Sequence, residues 1–261
     1  MKQVVLFACV ACLILFSCSS HSDYREPIIQ PTAITKDIMS WLYYERDYVQ
    51  LSADYLPLDT ASRPMEKREF LSKLKTGNYL PVRMKTMDSS FCYQLYRMDE
   101  RASNDIREAI KVKALKAYNY LQLEGSALPQ FNFVDLNGKV YNRQTTEGKV
   151  VAINCWFMHC QACNEEMPEL NKIVEQTKGR NDVVFIGLAF DKADSLRMFL
   201  SKRKFDYAIV PEKENYMMND LGIISYPTHI ILDRQGKIKK VIDGGVNEFI
   251  NALNTELTKK S

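Results

Sequence analysis

The sequence predicts an α/β protein: a mixed sheet with helices on both faces, preceded by a smaller, mainly helical N-terminal region. Three observations predict it. After Gly125, short apolar runs rich in β-branched residues alternate with stretches of helical period. In that same half, Asn137-Gly138 and Asp233-Arg234-Gln235-Gly236 read as hairpin turns, which require some antiparallel pairing. Before Gly125, apolar residues recur mostly at helical spacing.

In chain order, residues 1–17 read as a signal peptide. Lys2 supplies a positive charge, and residues 4–16 are almost unbroken apolar sequence, too short for a membrane span. Leu15-Phe16-Ser17-Cys18 resembles the lipobox of bacterial lipoproteins, in which the signal is cut before a cysteine that is then lipidated. Cleavage there would remove Cys9 and Cys12 and make Cys18 a membrane anchor; a plain secretory signal is the alternative. Either reading exports the chain, and several acyl chains would hold it to a membrane durably. The polar stretch 18–33, with Pro27 and Pro31, suits a tether.

Residues 34–125 form the N-terminal domain. A helix is expected over 34–51 on the spacing of Ile38, Trp41, Leu42, Tyr48 and Val49. Residues 52–63 read as loop, and Pro64 opens a second helix to residue 75, with Ser62 as cap and Gly77 beyond its end. Residues 79–84 and 91–98 suit two paired strands, although Pro81 interrupts the first. A longer helix over 105–123 would bury Ile106, Ala109, Ile110, Leu115, Tyr118 and Leu121. No motif in this region carries recognisable chemistry. Its aromatic residues read as core, and Cys92 as a buried thiol in a strand.

The second domain, 126–261, opens with a hairpin over 131–135 and 139–142. A buried strand follows from Val150, then a helix over 160–176, a strand over 183–190 and a helix over 193–203. A strand at 207–210 and a helix near 214–221 precede the last two strands, 228–233 and 237–242, and a closing helix over 246–257.

The chemistry concentrates where the first buried strand meets its helix. Cys160-Gln161-Ala162-Cys163 places two cysteines at a helix start, the spacing of a redox-active dithiol. Free N–H groups and the partial positive charge there favour ionisation of the first thiol, making it a nucleophile. The second, one turn on, is placed to close a disulfide or resolve a mixed one. Export sharpens this reading, because cysteines in an oxidising compartment are generally paired or functional. Of Cys92, Cys155, Cys160 and Cys163, only the last two have catalytic spacing.

Composition excludes other classes. With 46% hydrophobic and 26% charged residues the chain is an ordinary folded protein, and a net charge of +3 without a Lys/Arg stripe gives no case for nucleic acid. Lys237, Lys239 and Lys240 read as the solvated end of a strand.

Trp156, the Cys160–Cys163 motif, Glu166-Met167-Pro168-Glu169-Leu170, Ser225-Tyr226-Pro227-Thr228 and the strand ending in Asp233-Arg234-Gln235-Gly236-Lys237-Ile238 together resemble the ResA/TlpA-like thiol–disulfide oxidoreductases of thioredoxin fold. The resemblance covers residues from about 126 to 258. It implies that Cys160 attacks the substrate disulfide and Cys163 resolves the mixed disulfide, with Glu166 exchanging protons with Cys163. Where thioredoxin has a buried Asp this chain has Asn154, which cannot titrate.

Pro227 would be cis and set the Tyr226 backbone beside the dithiol, while Trp156 and His159 would border the substrate and Pro168 would kink the helix. Protein thiols and disulfides are then the substrates and a membrane electron donor the partner, with no cofactor and no metal. The location would be the cell envelope, lipid-anchored and facing the periplasm. His159 stands where many relatives have Trp, and Gln161-Ala162 lacks their usual Pro, so the redox potential does not carry over. His229, next after Thr228, reads as a packing residue.

The rival readings are a disulfide oxidase or isomerase, and a non-catalytic binding module that keeps the fold. Iron–sulfur ligation by Cys155, Cys160 and Cys163 lacks a nearby fourth ligand, and zinc lacks a second Cys/His pair. A peroxidase normally needs a Thr shortly before its reactive cysteine, and none stands there.

Overall fold

The computed structural model describes residues 26–87 and 90–259; the expected signal peptide and Cys18 lie outside them. The N-terminal domain contains α1 (Pro31–Ile34), α2 (Ile38–Tyr48), β1 (Leu56–Leu58), α3 (Lys67–Leu74), β2 (Tyr79–Arg83), β3 (Cys92–Arg97) and α4 (Asn104–Leu123). It is mainly helical, but its helices pack on a three-stranded sheet of order β1-β3-β2. The two strands expected from sequence are β2 and β3, paired antiparallel from Tyr79↔Arg97 to Arg83↔Tyr93. β2 is an edge strand, where Pro81 is tolerated.

Four expectations need correction here. The tether is shorter than 18–33, because Ile28 N–H donates to Arg83 O (2.9 Å) and Pro31 is buried at the start of α1. The helix expected over 34–51 is α2, and it begins at Ile38 because Asp37 caps it, its Oδ1 accepting from Ser40 N–H at 2.7 Å. The loop over 52–63 contains β1, which pairs parallel with β3. Ser62 does not cap α3: it sits in a turn at φ 60° in which Asp59 Oδ1 accepts from Ala61 and Arg63 N–H, and the helix starts after Glu66.

The C-terminal domain contains a hairpin, β4 (Asn132–Val134) with β5 (Val140–Asn142), then β6 (Val150–Trp156), α5 (Gln161–Gln176), β7 (Val183–Ala189), α6 (Ala193–Leu200) and β8 (Ala208–Val210). A wide helical turn at Tyr216–Asp220, β9 (Thr228–Leu232), β10 (Ile238–Asp243) and α7 (Val246–Thr258) complete it. Its five-stranded sheet has the order β10-β9-β6-β7-β8. β6 runs parallel to β7 and antiparallel to β9, so the sheet is mixed. One face packs on α5, α6 and α7 through Met167, Leu170, Leu196, Phe249 and Leu253. The other face meets the hairpin, Met217, Leu221 and, from the N-terminal domain, Tyr120 of α4.

Helix α4 therefore serves both cores. Ile106, Ile110, Ala114 and Ala117 belong to the N-terminal core and Tyr120 to the other. This turns the buried stripe away from Leu115, which is exposed, as is Leu42 on α2. Residues that follow α4 cover the edge strand β10: Gly125 N–H donates to Ile238 O (2.7 Å) and Ile238 N–H to Ser126 O (2.8 Å). Lys240, expected in solvent, is largely buried between the domains and pairs with Asp54 and, at 3.6 Å, with Glu124. Burial raises the Glu124 carboxyl above its ordinary range despite the nearby ammonium groups of Lys240 and Lys67.

Candidate active site

β6 is buried along its whole length at the centre of the sheet, as its Val-Val-Ala-Ile run requires. It delivers the chain to a short loop, and Cys160 becomes the N-cap of α5. Cys160 and Cys163 form a disulfide, with Cα atoms 5.3 Å apart. Cys163 N–H points at Cys160 Sγ (3.1 Å), so the first-turn amides that would stabilise a thiolate already face that sulfur. Cys160 is 6% exposed and Cys163 2%, which leaves Cys160 as the sulfur nearer to solvent.

The loop is held from two sides. Met158 N–H donates to Asp191 Oδ2 (2.8 Å), just beyond β7, and Asn164 Nδ2 donates to Met158 O (2.9 Å). His159 is exposed and lines a groove of about 910 Å³ with Gln161 and Glu165, opposite Lys202, Arg203 and Lys204. Across the site the Tyr226–Pro227 peptide is cis, as expected, and leads into β9. The Tyr226 ring packs edge-on against Phe157 (5.8 Å) and Phe190 (4.8 Å), giving a half-buried aromatic wall beside the dithiol.

Trp156 is the correction among the expected substrate contacts. It is fully buried against Phe199 and Phe205, so it supports the site from within the core and touches no substrate in this arrangement. Cys155 faces the opposite side of the sheet from the dithiol, and Cys92 lies in the other domain's core, so neither joins the pair. Burial raises both of these thiols, Cys92 to about 11.

Sequence reasoning missed two arrangements. His229, read as packing, is wholly buried; its Nε2 lies 2.9 Å from Glu166 Oε2 and its Nδ1 lies 3.2 Å from Asn154 Nδ2. The only available signal was a histidine inside an otherwise apolar strand. The second is a clamp on the cis-proline loop. Lys116 of α4 pairs with Asp243 (2.5 Å) and approaches Ser225 Oγ (3.3 Å), while Ser225 Oγ donates to Asp243 Oδ1. No local pattern announces a contact between residues so far apart in the chain.

Residues 125–241 match the AhpC/TSA family model. A thiol–disulfide oxidoreductase ResA from Halalkalibacterium halodurans is 30% identical over 130 residues, spanning 49% of this chain and 74% of that protein. The chain belongs to the ResA thiol–disulfide oxidoreductase family. ResA from Geobacillus thermodenitrificans is 29% identical over 122 residues, 46% of this chain and 69% of the relative. Among solved structures, the thioredoxin domain of a thiol–disulfide oxidoreductase from Bacteroides vulgatus aligns with a TM-score of 0.46 and 23% identity, over 51% of this chain and 96% of that one. The ResA-type relatives align with about half of the chain, and the family model covers β4 to β10, the disulfide included. The ResA-family chain is thus a thioredoxin-fold enzyme of thiol–disulfide exchange, with protein thiols and disulfides as its class of substrate.

Proposed function

We propose that this enzyme reduces protein disulfides in the cell envelope through the Cys160–Cys163 dithiol. The supporting observation is the asymmetry of the pair: Cys160 caps α5 nearer to solvent, and Cys163 is buried one turn before Glu166. In the reduced enzyme the Cys160 thiolate attacks a substrate disulfide, forming a mixed disulfide and expelling one substrate thiolate. Cys163 gives its proton to Glu166 and attacks Cys160 Sγ. The second substrate sulfur leaves with the electron pair of the broken bond, and the enzyme is left as the disulfide. Two electrons have passed to the substrate, and a membrane thiol donor restores the dithiol. The Tyr226–Pro227 backbone and His159 border the substrate segment, and a lipid on Cys18 holds the enzyme to the membrane, facing the periplasm.

The deciding experiment is the equilibrium reduction potential of the pair. A value near thioredoxin's, roughly −270 mV, supports reductase action; one near DsbA's, roughly −120 mV, overturns it in favour of an oxidase.

A further inference from the structure

We propose that His229 is a positioning residue for the proton step at Cys163, holding Glu166 by its Nε2–H while Asn154 fixes the tautomer of its ring. This rests on the reading of Glu166 as the proton acceptor for Cys163.

The geometry begins with strand register. β6 and β9 pair with Asn154 opposite His229, and both strands are buried throughout. Two polar side chains in such a layer are costly unless they satisfy each other. They do: Asn154 Nδ2 faces His229 Nδ1 at 3.2 Å. An amide nitrogen only donates, so Nδ1 accepts and the ring proton sits on Nε2. That nitrogen lies 2.9 Å from Glu166 Oε2, on the helix that carries Cys163. The imidazole stacks on Phe249 of α7, centroids 4.5 Å apart, which fixes the ring plane. The chain of contacts thus runs from a group that cannot titrate, through a neutral ring, to the carboxylate.

The surroundings leave this contact to govern the carboxylate. β6 contributes Asn154, β9 contributes His229 and α7 contributes Phe249. Tyr207, next to β8, is buried with an unpaired hydroxyl among the described residues; burial first and the Glu166 charge second keep it protonated. No Lys or Arg pairs with Glu166 among the described residues; its partner there is the His229 ring. As Cys163 attacks Cys160 Sγ, its proton passes to the Glu166 carboxylate. His229 stays neutral and keeps donating to Oε2, so Oε1 is the oxygen that takes the proton.

The test follows release of glutathione from the Cys160 mixed disulfide against pH, in the full chain. His229→Phe fills the slot against Phe249 but removes the donor, whereas His229→Gln keeps an N–H. With the donor gone, the carboxylate form is less favoured. The limb of the profile that requires it is expected to move up by about one pH unit in His229→Phe, about a tenfold slowing on the acid side of that limb. His229→Gln should restore most of that loss, and Glu166→Gln should abolish the limb. A His229→Phe profile superimposed on wild type, with the limb lost in Glu166→Gln, would overturn the role of His229 alone. A limb that survives Glu166→Gln would overturn the Glu166 reading beneath it. Should His229→Phe fail to fold, nitrogen-15 NMR of the wild-type imidazole decides: neutral with the proton on Nε2 supports the proposal, while an Nδ1–H tautomer or an imidazolium at neutral pH overturns it.

Discussion

In the N-terminal domain, two buried phenols bond to backbone: Tyr44 Oη donates to Pro81 O (3.0 Å) and accepts from Arg83 N–H (2.6 Å), and Tyr93 Oη donates to Tyr48 O (2.7 Å). In the C-terminal domain, Asn154 of β6 and His229 of β9 bond to each other side chain to side chain, ending at Glu166. Both solutions satisfy the groups that burial strips of water. The first fixes shape, since a phenol held by a strand's own amides has no proton to give near neutral pH; burial drives the Tyr44 phenol far up. The second leaves a proton able to move. The cysteines are of two kinds as well, Cys92 and Cys155 sealed in the cores and Cys160–Cys163 placed at a helix start.

The sharpest way to break this comparison is to exchange the fate of the two kinds of cysteine. Cys160→Ser should reduce insulin reduction with dithiothreitol to background, whereas Cys92→Ala should keep wild-type turnover and lose roughly 1 kcal/mol of stability. Equal rates for Cys160→Ser and wild type would leave a binding module. Trp156→Ala should cost about 3–5 kcal/mol in denaturant unfolding. The milder Trp156→Phe should leave KM for a protein substrate unchanged, as a buried ring predicts; a large rise in KM would return Trp156 to the substrate surface.

Lys116→Met removes one partner of a largely buried pair and should cost about 3 kcal/mol. Because Lys116 holds Ser225 beside the cis-proline loop, KM for a protein disulfide should rise more than the rate with a small disulfide falls. An unchanged KM would confine the N-terminal domain to a structural role.

The smallest effect concerns Lys67, whose ammonium donates to the Ser52 and Ala53 carbonyls and whose burial lowers it to about 8. Between about 8 and the ordinary lysine value of 10.5 the unfolded chain binds more protons than the folded one, so stability rises with pH there. The rise should be on the order of 1 kcal/mol or less from pH 8 to 9. Above pH 9 ionisation of Cys92 in the unfolded chain opposes it, because the folded thiol holds its proton to about 11. Thermal melts over that window check this, and Lys67→Met should flatten the slope.

Much of this was legible along the chain. The all-apolar run of β6, the helix begun by Cys160 and the Asn137-Gly138 turn are local patterns, and local patterns gave α4, α5, α7 and the hairpin nearly to the residue. What stayed hidden needed two elements at once. The contact of His229 with Glu166 depends on the β6–β9 register and on where α5 crosses it. The exposure of Leu115 depends on α4 being shared by two cores, and the burial of Lys240 on which segment covers β10. Within the candidate site, the Cys160–Cys163 disulfide and the cis Tyr226–Pro227 peptide follow from local motifs, while the full burial of Trp156 does not, because a strand-end tryptophan does not reveal which way it faces.

The shared helix sets a rule for anyone cutting this gene. A fragment that starts at residue 126 would look complete by pattern, yet it would leave the slot of Tyr120 vacant, lose the Gly125 bond to the outer strand β10 and free the proline loop from Lys116. A shortened enzyme that is to stay folded should begin ahead of Asn104 and keep the whole rod.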